Sequence, residues 1–201
     1  GWGKANGNVM PVYLALKNPY QMPYKEFDGM AMAAFRSLQS DPEYDPNAVV
    51  KFGDMEGQKR AAERLSKHED AAKAQALARR AELIAEGYDG VMAKVGGVVE
   101  YVVFDSTQIK SAIGNNGAFD PANPDIRYSS RSKTDTPSFR RWFGSSEAVN
   151  ADGSPMVLYH GTGADIAVFD PKRTTSIDGI FTTPKAGYAS QVAAGAGGAP
   201  N

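Results

Sequence analysis

The sequence predicts an α+β fold, in which short strands are combined with separate helices. Two observations lead to this prediction. Runs of β-branched, aromatic and other apolar residues with the length of single strands recur along the chain, at 9–17, 98–104 and 179–183. Between the first two of these runs lies one long segment, 56–86, that is rich in Ala, Leu, Glu, Lys and Arg and is therefore typical of a helix.

The composition limits the classes to which the protein can belong. Its 201 residues, 42% of them apolar, are enough for one domain or one and a half with a well-formed core. The formal charge of −1 and the lack of a basic stripe argue against non-specific nucleic-acid binding. No apolar run reaches the length that crosses a membrane, and no leader segment opens the sequence, so a soluble protein is expected.

Few of the residue types that bind metals or form disulfides are present. The sequence has no cysteine, which excludes a disulfide framework and thiol catalysis. It has two histidines, His68 and His160, which argues against a histidine-based zinc site. We therefore expect no metal cofactor.

The first half of the chain is predicted to contain strands, helices and a hairpin. After the strand at 9–17, the prolines of "NPYQMP" predict a turn. A short helix is expected at 28–39, and the long helix is expected to end at Gly87, the usual residue after a helix C-terminus. Two strands then follow, joined near Gly96-Gly97 as in a hairpin.

The second half begins with a change of composition. Residues 111–138 are dense in Asn, Gly, Pro and Ser, which predicts a linker or an extended segment along the surface. A short helix, "SFRRWFG", should follow, with Trp142 and Phe143 as its apolar anchors. Two strands around an Asp-Gly turn are expected within 148–162. After the strand at 179–183, "KAGYASQVAA" is expected to open a helix, and "GAGGAPN" to form a flexible tail.

Glu100 is an ionisable residue inside the apolar run "VVEYVVF". An ionised carboxylate is costly to bury unless another group pairs with it. Either Glu100 lies on the exposed face of an edge strand, or it is buried because it has a function.

His160 ends the apolar strand "MVLYH" and is followed directly by "GTG". An ordinary histidine at a strand end is one interpretation. The segment "GTGADI" is close to a dinucleotide-binding fingerprint, but Ile166 replaces its last glycine and no acidic residue is suitably placed downstream. A Rossmann site is therefore not expected.

Taken together, "YHGT", "GIFTT" and "VVEYVVF" resemble the three motifs of mono-ADP-ribosyltransferases of the His–Tyr–Glu branch, represented by diphtheria toxin and the poly(ADP-ribose) polymerases. The resemblance is strong to transferase domains of phage and polyvalent bacterial proteins, which share "NVMPVYLALKNPY", "GYDGV" and "FDPANPDIRYS". It implies an ADP-ribosyltransferase-like split β-sandwich of two small sheets flanked by helices, in a phage protein, toxin or effector.

The order of the motifs differs from that of the family, because Glu100 precedes His160 and Phe181. Residues 1–130 resemble the C-terminal half of such a domain, and 131–201 resemble its N-terminal half. If "AAGAGGAPN" is placed before "GWGKANGNVMPVYL", the sequence reads as one uninterrupted family member. Either a circular permutation or a slice of a tandem array explains this order. We expect one domain formed from both segments; a slice could recover the same site as a homodimer that exchanges segments.

By this resemblance the substrate is NAD⁺, no metal takes part, and eight residues form the site: Glu100, His160, Gly161, Thr162, Phe181, Thr182, Thr183 and Tyr188. Glu100 would contact the ribose hydroxyl and stabilise the cation that develops as nicotinamide leaves. His160 would bind the adenosine-side ribose. The Gly161 backbone would hold the nicotinamide amide, and Thr162 would shape the turn.

The remaining residues would surround the nicotinamide ring. Phe181 would stack on it, at a position where tyrosine is commoner in the family. Tyr188 would form a second wall. Thr182 and Thr183 would hydrogen-bond behind the site or cap the strand.

Three functions follow as expectations. The first is an NAD⁺-dependent mono-ADP-ribosyltransferase acting on a protein acceptor, and the second is an NAD⁺ glycohydrolase with water as acceptor. The third is a non-catalytic transferase fold with a structural role in a virion or polyvalent protein, which Phe181 and the altered motif order favour. No membrane partner and no nucleic-acid partner is expected, and the cellular location is left open.

Overall fold

The computed structural model describes residues 8–42, 44, 54–113, 119–120, 122–126, 134–163, 166–173 and 177–195. Within these ranges no helix combines the length and the apolar character needed to span a membrane. Both chain ends that would join in a permuted domain, 1–7 and 196–201, and with them most of the predicted tail, lie outside the described residues.

Strands and helices are both numerous in the described part of the chain. The strands are β1 (Asn8–Leu14), β2 (Pro19–Met22), β3 (Gly90–Val95), β4 (Val98–Val103), β5 (Ile109–Ser111), β6 (Leu158–Thr162) and β7 (Ile180–Thr182). The α-helices are α1 (Tyr24–Ala31), α2 (Ala33–Gln39), α3 (Met55–Ala85), α4 (Pro137–Phe143) and α5 (Ala186–Gly195). This content confirms the predicted α+β class.

The strands form two small sheets. The first has the order β5-β1-β6 and is antiparallel throughout. The second has the order β2-β3-β4-β7, with β2 parallel to β3 and the other pairs antiparallel. A bridge between Tyr159, in β6, and Thr183, after β7, joins the two sheets through backbone hydrogen bonds of 2.8 and 3.1 Å. Two small sheets flanked by helices are the architecture that the family resemblance implied.

The apolar core has three parts: one lies between the two sheets, and one lies on the outer face of each sheet. Between the sheets lie residues of β1, β4, β5, β6 and β7, among them Val12, Leu14, Val103, Ile109, Leu158 and Ile180. The outer face of the second sheet packs on α3 through Ala76, Leu83, Val91 and Val102. The outer face of the first sheet packs on α4 through Tyr13, Phe119, Phe139, Trp142 and Phe143. The predicted anchoring role of Trp142 and Phe143 is confirmed.

The long helix is confirmed almost to the residue. Asp54 caps α3 by accepting a hydrogen bond from the Gly57 N–H, and Gly87 follows its end with a φ of +91°, a conformation that favours glycine. Ala72, Ala76 and Leu83 are its buried residues, so the C-terminal part of α3 contacts the sheet.

Two predicted boundaries were wrong. The helix predicted at 28–39 is two helices, because the backbone leaves the helical conformation at Met32. The turn predicted at 18–23 is largely strand β2. Proline is tolerated there because Pro19 is the first residue of an edge strand and Pro23 follows its last, so neither interrupts the ladder.

The predicted hairpin is confirmed, with Gly96 and Gly97 at positive φ between β3 and β4. The described residues of the Asn-, Gly- and Pro-rich segment are packed against the domain. Phe119 and Ile126 are buried, and the buried Lys110 ammonium donates hydrogen bonds to the backbone carbonyls of Asn123 and Asp125. Of the two interpretations of this segment, the described residues fit the extended one. The two strands expected around the Asp-Gly turn are β6 and an isolated bridge, Val149–Pro155.

Candidate active site

The register of the strands brings Glu100 near His160. In β4 and β7, Tyr101 lies opposite Thr182, so Glu100 is level with Thr183. Thr183 is bridged to Tyr159, and His160 is the next residue of β6. Residues far apart in the sequence therefore meet where the two sheets join.

A cavity of about 190 Å³ lies at this junction. Its lining residues are Glu100, Tyr159, His160, Gly161, Phe181, Thr182, Thr183, Tyr188, Ala189 and Val192. Seven of the eight residues suggested by the resemblance are in this set. The eighth, Thr162, is the last residue of β6, is fully buried, and lies outside the lining.

Glu100 is buried and paired. Glu100 lies in β4, an interior strand between β3 and β7, and the residue is 8% exposed. The interpretation of Glu100 as an exposed carboxylate on an edge strand was therefore wrong. The Tyr188 hydroxyl donates a hydrogen bond of 2.7 Å to Glu100 Oε1. This hydrogen bond to the carboxylate, together with burial, raises the pKa of Tyr188 to about 12. The phenol therefore remains a donor at any physiological pH.

His160 presents one nitrogen as an acceptor. Its Nδ1 lies 2.8 Å from the Phe181 carbonyl oxygen, and because a carbonyl oxygen accepts, Nδ1 carries the proton. The other nitrogen, Nε2, is buried and has no hydrogen-bond partner within the described part of the chain. Burial lowers the pKa of His160, an effect partly opposed by the bond to Phe181. The ring thus favours the neutral form, and Nε2 is free to accept a hydrogen bond.

Gly161 allows helix α5 to approach strand β6 closely. A Cβ atom at Gly161 would overlap with the backbone carbonyl of Ala189 in α5. The space that a side chain at Gly161 would occupy is therefore filled by a helix of the protein itself. This approach brings Tyr188, Ala189 and Val192 to the cavity.

The cavity residues of the motif "GIFTT", which we call the aromatic motif, are Phe181, Thr182 and Thr183, and their surroundings differ. Phe181 is partly buried and contacts Phe27 of α1 edge-on, with ring centroids 6.4 Å apart. The Thr182 hydroxyl donates to the backbone carbonyl of Tyr101, in β4, at 3.1 Å. Thr183 forms the bridge between the sheets, and its hydroxyl accepts a hydrogen bond from the Lys185 N–H at the start of α5.

Sequence reasoning missed Tyr159, Ala189 and Val192 as lining residues. Helical spacing was an available signal for Val192, because it lies four residues after Tyr188 and therefore on the same face of α5. The contribution of Tyr159 depends on the bridge to Thr183, which no local pattern reveals.

A larger cavity of about 450 Å³ lies at the other end of β4, near Arg80, Phe104 and Trp142. None of the eight suggested residues lines it. Its two carboxylates already accept hydrogen bonds within the protein, Asp89 from the Lys17 and Asn18 N–H groups and Asp105 from Thr107. In the described residues there is also no cluster of three or more His, Asp or Glu side chains that could hold a metal ion. The buried carboxylate of Glu100 and the unpartnered Nε2 of His160 are both in the smaller cavity.

Comparison with known proteins identifies the family. The family described as ADP-ribosyltransferase in polyvalent proteins matches residues 1–119 and 150–199, and the chain belongs to it. The first matched stretch carries Glu100, and the second carries His160, Phe181 and Tyr188. The suggested resemblance is therefore confirmed, and membership of the family indicates an ADP-ribosyltransferase domain, a class that uses NAD⁺ as substrate. Searches of curated proteins and of solved structures find no match.

Proposed function

We propose that this protein is an NAD⁺-dependent mono-ADP-ribosyltransferase that breaks the nicotinamide–ribose bond and transfers ADP-ribose to a protein acceptor. One observation carries the proposal: a buried carboxylate, Glu100, and a histidine with a free acceptor nitrogen, His160, line the same cavity. Family membership supplies the reaction class.

Glu100 is the group that stabilises the transition state. When the C–N bond to nicotinamide breaks, its electron pair leaves with the neutral base, and positive charge develops on the ribose. A carboxylate fixed beside that charge is most effective where water is excluded, and Glu100 is buried. Glycosidases place carboxylates against a similar transition state.

His160 and Phe181 bind the substrate. Nε2 of His160 accepts a hydrogen bond from a hydroxyl of the adenosine-side ribose, and the Phe181 ring stacks on nicotinamide, which requires an aromatic face but no hydroxyl. The cavity volume of about 190 Å³ is below the roughly 300–1,000 Å³ of pockets that enclose a whole drug-sized ligand. It therefore accommodates the nicotinamide end, with the rest of the dinucleotide extending out of it.

The acceptor completes the reaction. A nucleophilic atom of the acceptor forms a bond to the ribose carbon that nicotinamide has left, and loses its proton if it carries one. Glu100 orients this nucleophile or takes up the proton. Nicotinamide and the ADP-ribosylated acceptor are the products.

The two segments 1–130 and 131–201 form one domain within one chain. Strand β1 pairs with β5 from the first segment and β6 from the second, and β4 pairs with β7 across the same division. The cavity is lined from both segments. These contacts support a permuted single domain.

The test is to incubate the protein with NAD⁺ and candidate acceptor proteins, and to measure released nicotinamide and protein-linked ADP-ribose. We expect Glu100→Gln to keep NAD⁺ binding and to lose transfer by about 100-fold or more. Glu69→Gln, the same change at an exposed position of α3, should retain full activity.

Other results would contradict the proposal in distinguishable ways. Equal release of nicotinamide and free ADP-ribose, with no protein-linked product, would show a glycohydrolase. A lack of NAD⁺ binding at millimolar concentration would show a non-catalytic module. Full activity in Glu100→Gln would remove Glu100 from the mechanism.

A further inference from the structure

Tyr188 contacts Glu100 in a way that stacking on nicotinamide does not require. Its hydroxyl donates to Oε1 at 2.7 Å, and within the described part of the chain this is the hydrogen bond that the Glu100 side chain makes. We propose that Tyr188 is a positioning residue, whose hydroxyl fixes the Glu100 carboxylate and leaves Oε2 available to the ribose. This inference rests on the proposed function.

Glu100 needs such a partner for two reasons. A buried carboxylate without a hydrogen bond is strongly destabilised. In addition, a glutamate side chain has several rotatable bonds, and a catalytic group works only when its reactive atom is held in the productive geometry. A single hydrogen bond to one oxygen meets both needs and leaves the other oxygen available.

The position of Tyr188 is itself fixed by the packing of α5. The close contact between Ala189 and Gly161 holds the helix against β6. The Tyr188 N–H donates to the Lys185 carbonyl in the first turn of α5, and Lys185 is attached through its own N–H to Thr183. The phenol thus projects from a rigid element toward a carboxylate that lies 88 positions away in the sequence.

The chemistry of the pair makes the bond persistent. The carboxylate and burial together raise the pKa of Tyr188 to about 12. The hydroxyl therefore stays protonated at physiological pH and remains a hydrogen-bond donor to Glu100. Its effect on the reaction passes through Glu100.

The kinetic test uses Tyr188→Phe, which keeps the ring as a wall of the cavity and removes only the hydroxyl. Loss of a hydrogen bond to a charged group should lower kcat for nicotinamide release by about 10- to 100-fold, with KM for NAD⁺ within about twofold of the wild type. The control is Tyr24→Phe, which removes a hydroxyl from an exposed residue of α1 and should be fully active. A raised KM with unchanged kcat would overturn the inference, because it would assign Tyr188 to substrate binding.

The second test does not depend on activity. In protein labelled with ¹³C at the tyrosine Cζ, the Tyr188 resonance is identified by its absence in Tyr188→Phe, and its ionisation is followed from pH 8 to 12. We expect the Tyr188 pKa to fall toward 10 in Glu100→Gln, where the anionic partner is gone. Tyr20, which is paired with Glu26 at 3.0 Å, serves as internal control and should not change.

The two tests separate this inference from the proposed function. An unchanged Tyr188 titration in Glu100→Gln would overturn the inference whatever the activity. A protein that releases no nicotinamide but shows the expected change in titration would contradict the proposed function and leave the Tyr188–Glu100 pair established.

Discussion

The backbone carbonyl of Phe181 lies 2.8 Å from His160 Nδ1, so strand β7 determines which nitrogen of the histidine remains free. The two residues belong to different sheets, and their contact lies beside the Tyr159–Thr183 bridge. The aromatic motif therefore has two effects at once: it supplies a ring to the cavity, and it fixes the tautomer of His160.

The buried His160 should make the stability of the protein depend on pH. Burial lowers its pKa in the folded state, whereas the unfolded chain has a value of about 6.5. The unfolded state then binds more protons, so the contribution of His160 is complete above about pH 6.5 and is lost as the pH falls toward the lower folded value. We expect the free energy of unfolding to decrease more between pH 8 and pH 5 in the wild type than in His160→Asn, as measured by urea unfolding. Equal decreases in the two proteins would show that His160 is not the source of this pH dependence.

Gly161→Ala should disrupt the contact between α5 and β6. The added Cβ would overlap with the Ala189 carbonyl, so the helix must move, at a cost of about 1–3 kcal/mol of stability. The displacement also moves Tyr188 away from Glu100. The matched control is Gly187→Ala in the same helix, where nothing lies within 4 Å of the new atom. That variant should be unchanged or more stable by up to about 1 kcal/mol. Thermal unfolding checks both variants, and equal midpoints would show that α5 tolerates the displacement.

Substitution of Phe181 tests whether an aromatic ring without a hydroxyl is sufficient for NAD⁺ binding. Phe181→Tyr, which adds a hydroxyl to the ring, should retain NAD⁺ affinity because the aromatic face is kept. Phe181→Ala removes the face and should weaken NAD⁺ binding by about 10-fold or more, since one favourable aromatic contact alone contributes up to that much. Calorimetric titration with NAD⁺ measures both. Unchanged affinity in Phe181→Ala would exclude stacking at this position.

Mixing two inactive variants tests whether one chain holds a complete site. Glu100→Gln is altered in the first segment and His160→Ala in the second. If each chain forms its own cavity, the mixture should be no more active than its components. Recovery of activity toward one quarter of the wild-type level would instead show that two chains exchange segments, because one of four random pairings restores both residues.

Much of the fold was predictable because it is encoded locally. The composition of the long helix, the glycine after its end and the Gly96-Gly97 turn each act over a few residues, and all three were confirmed. Strand β2 was missed because its prolines suggested a turn. Its place at a sheet edge, where proline is harmless, depends on a parallel pairing with β3 about 70 residues away.

Seven of the residues that line the smaller cavity were suggested by the sequence, but their geometry was not. Motif resemblance pointed to Glu100, His160 and Phe181. It carried no information on the hydrogen bond between Tyr188 and Glu100 or on the contact of Gly161 with Ala189, since both depend on how α5 packs on the sheets. Long-range packing of this kind leaves no pattern in a single sequence.

The cavity lies beside the bridge between Tyr159 and Thr183, where the two sheets join. A ligand that contacts both Glu100, in the second sheet, and His160, in the first, links the two sheets. The sheets cannot then separate without breaking the contacts of the ligand. Because such a ligand binds the folded protein and not the unfolded chain, its binding increases the free energy of unfolding. The melting temperature therefore rises with the logarithm of the ligand concentration once that concentration exceeds Kd. The protein would be most stable when this cavity is occupied.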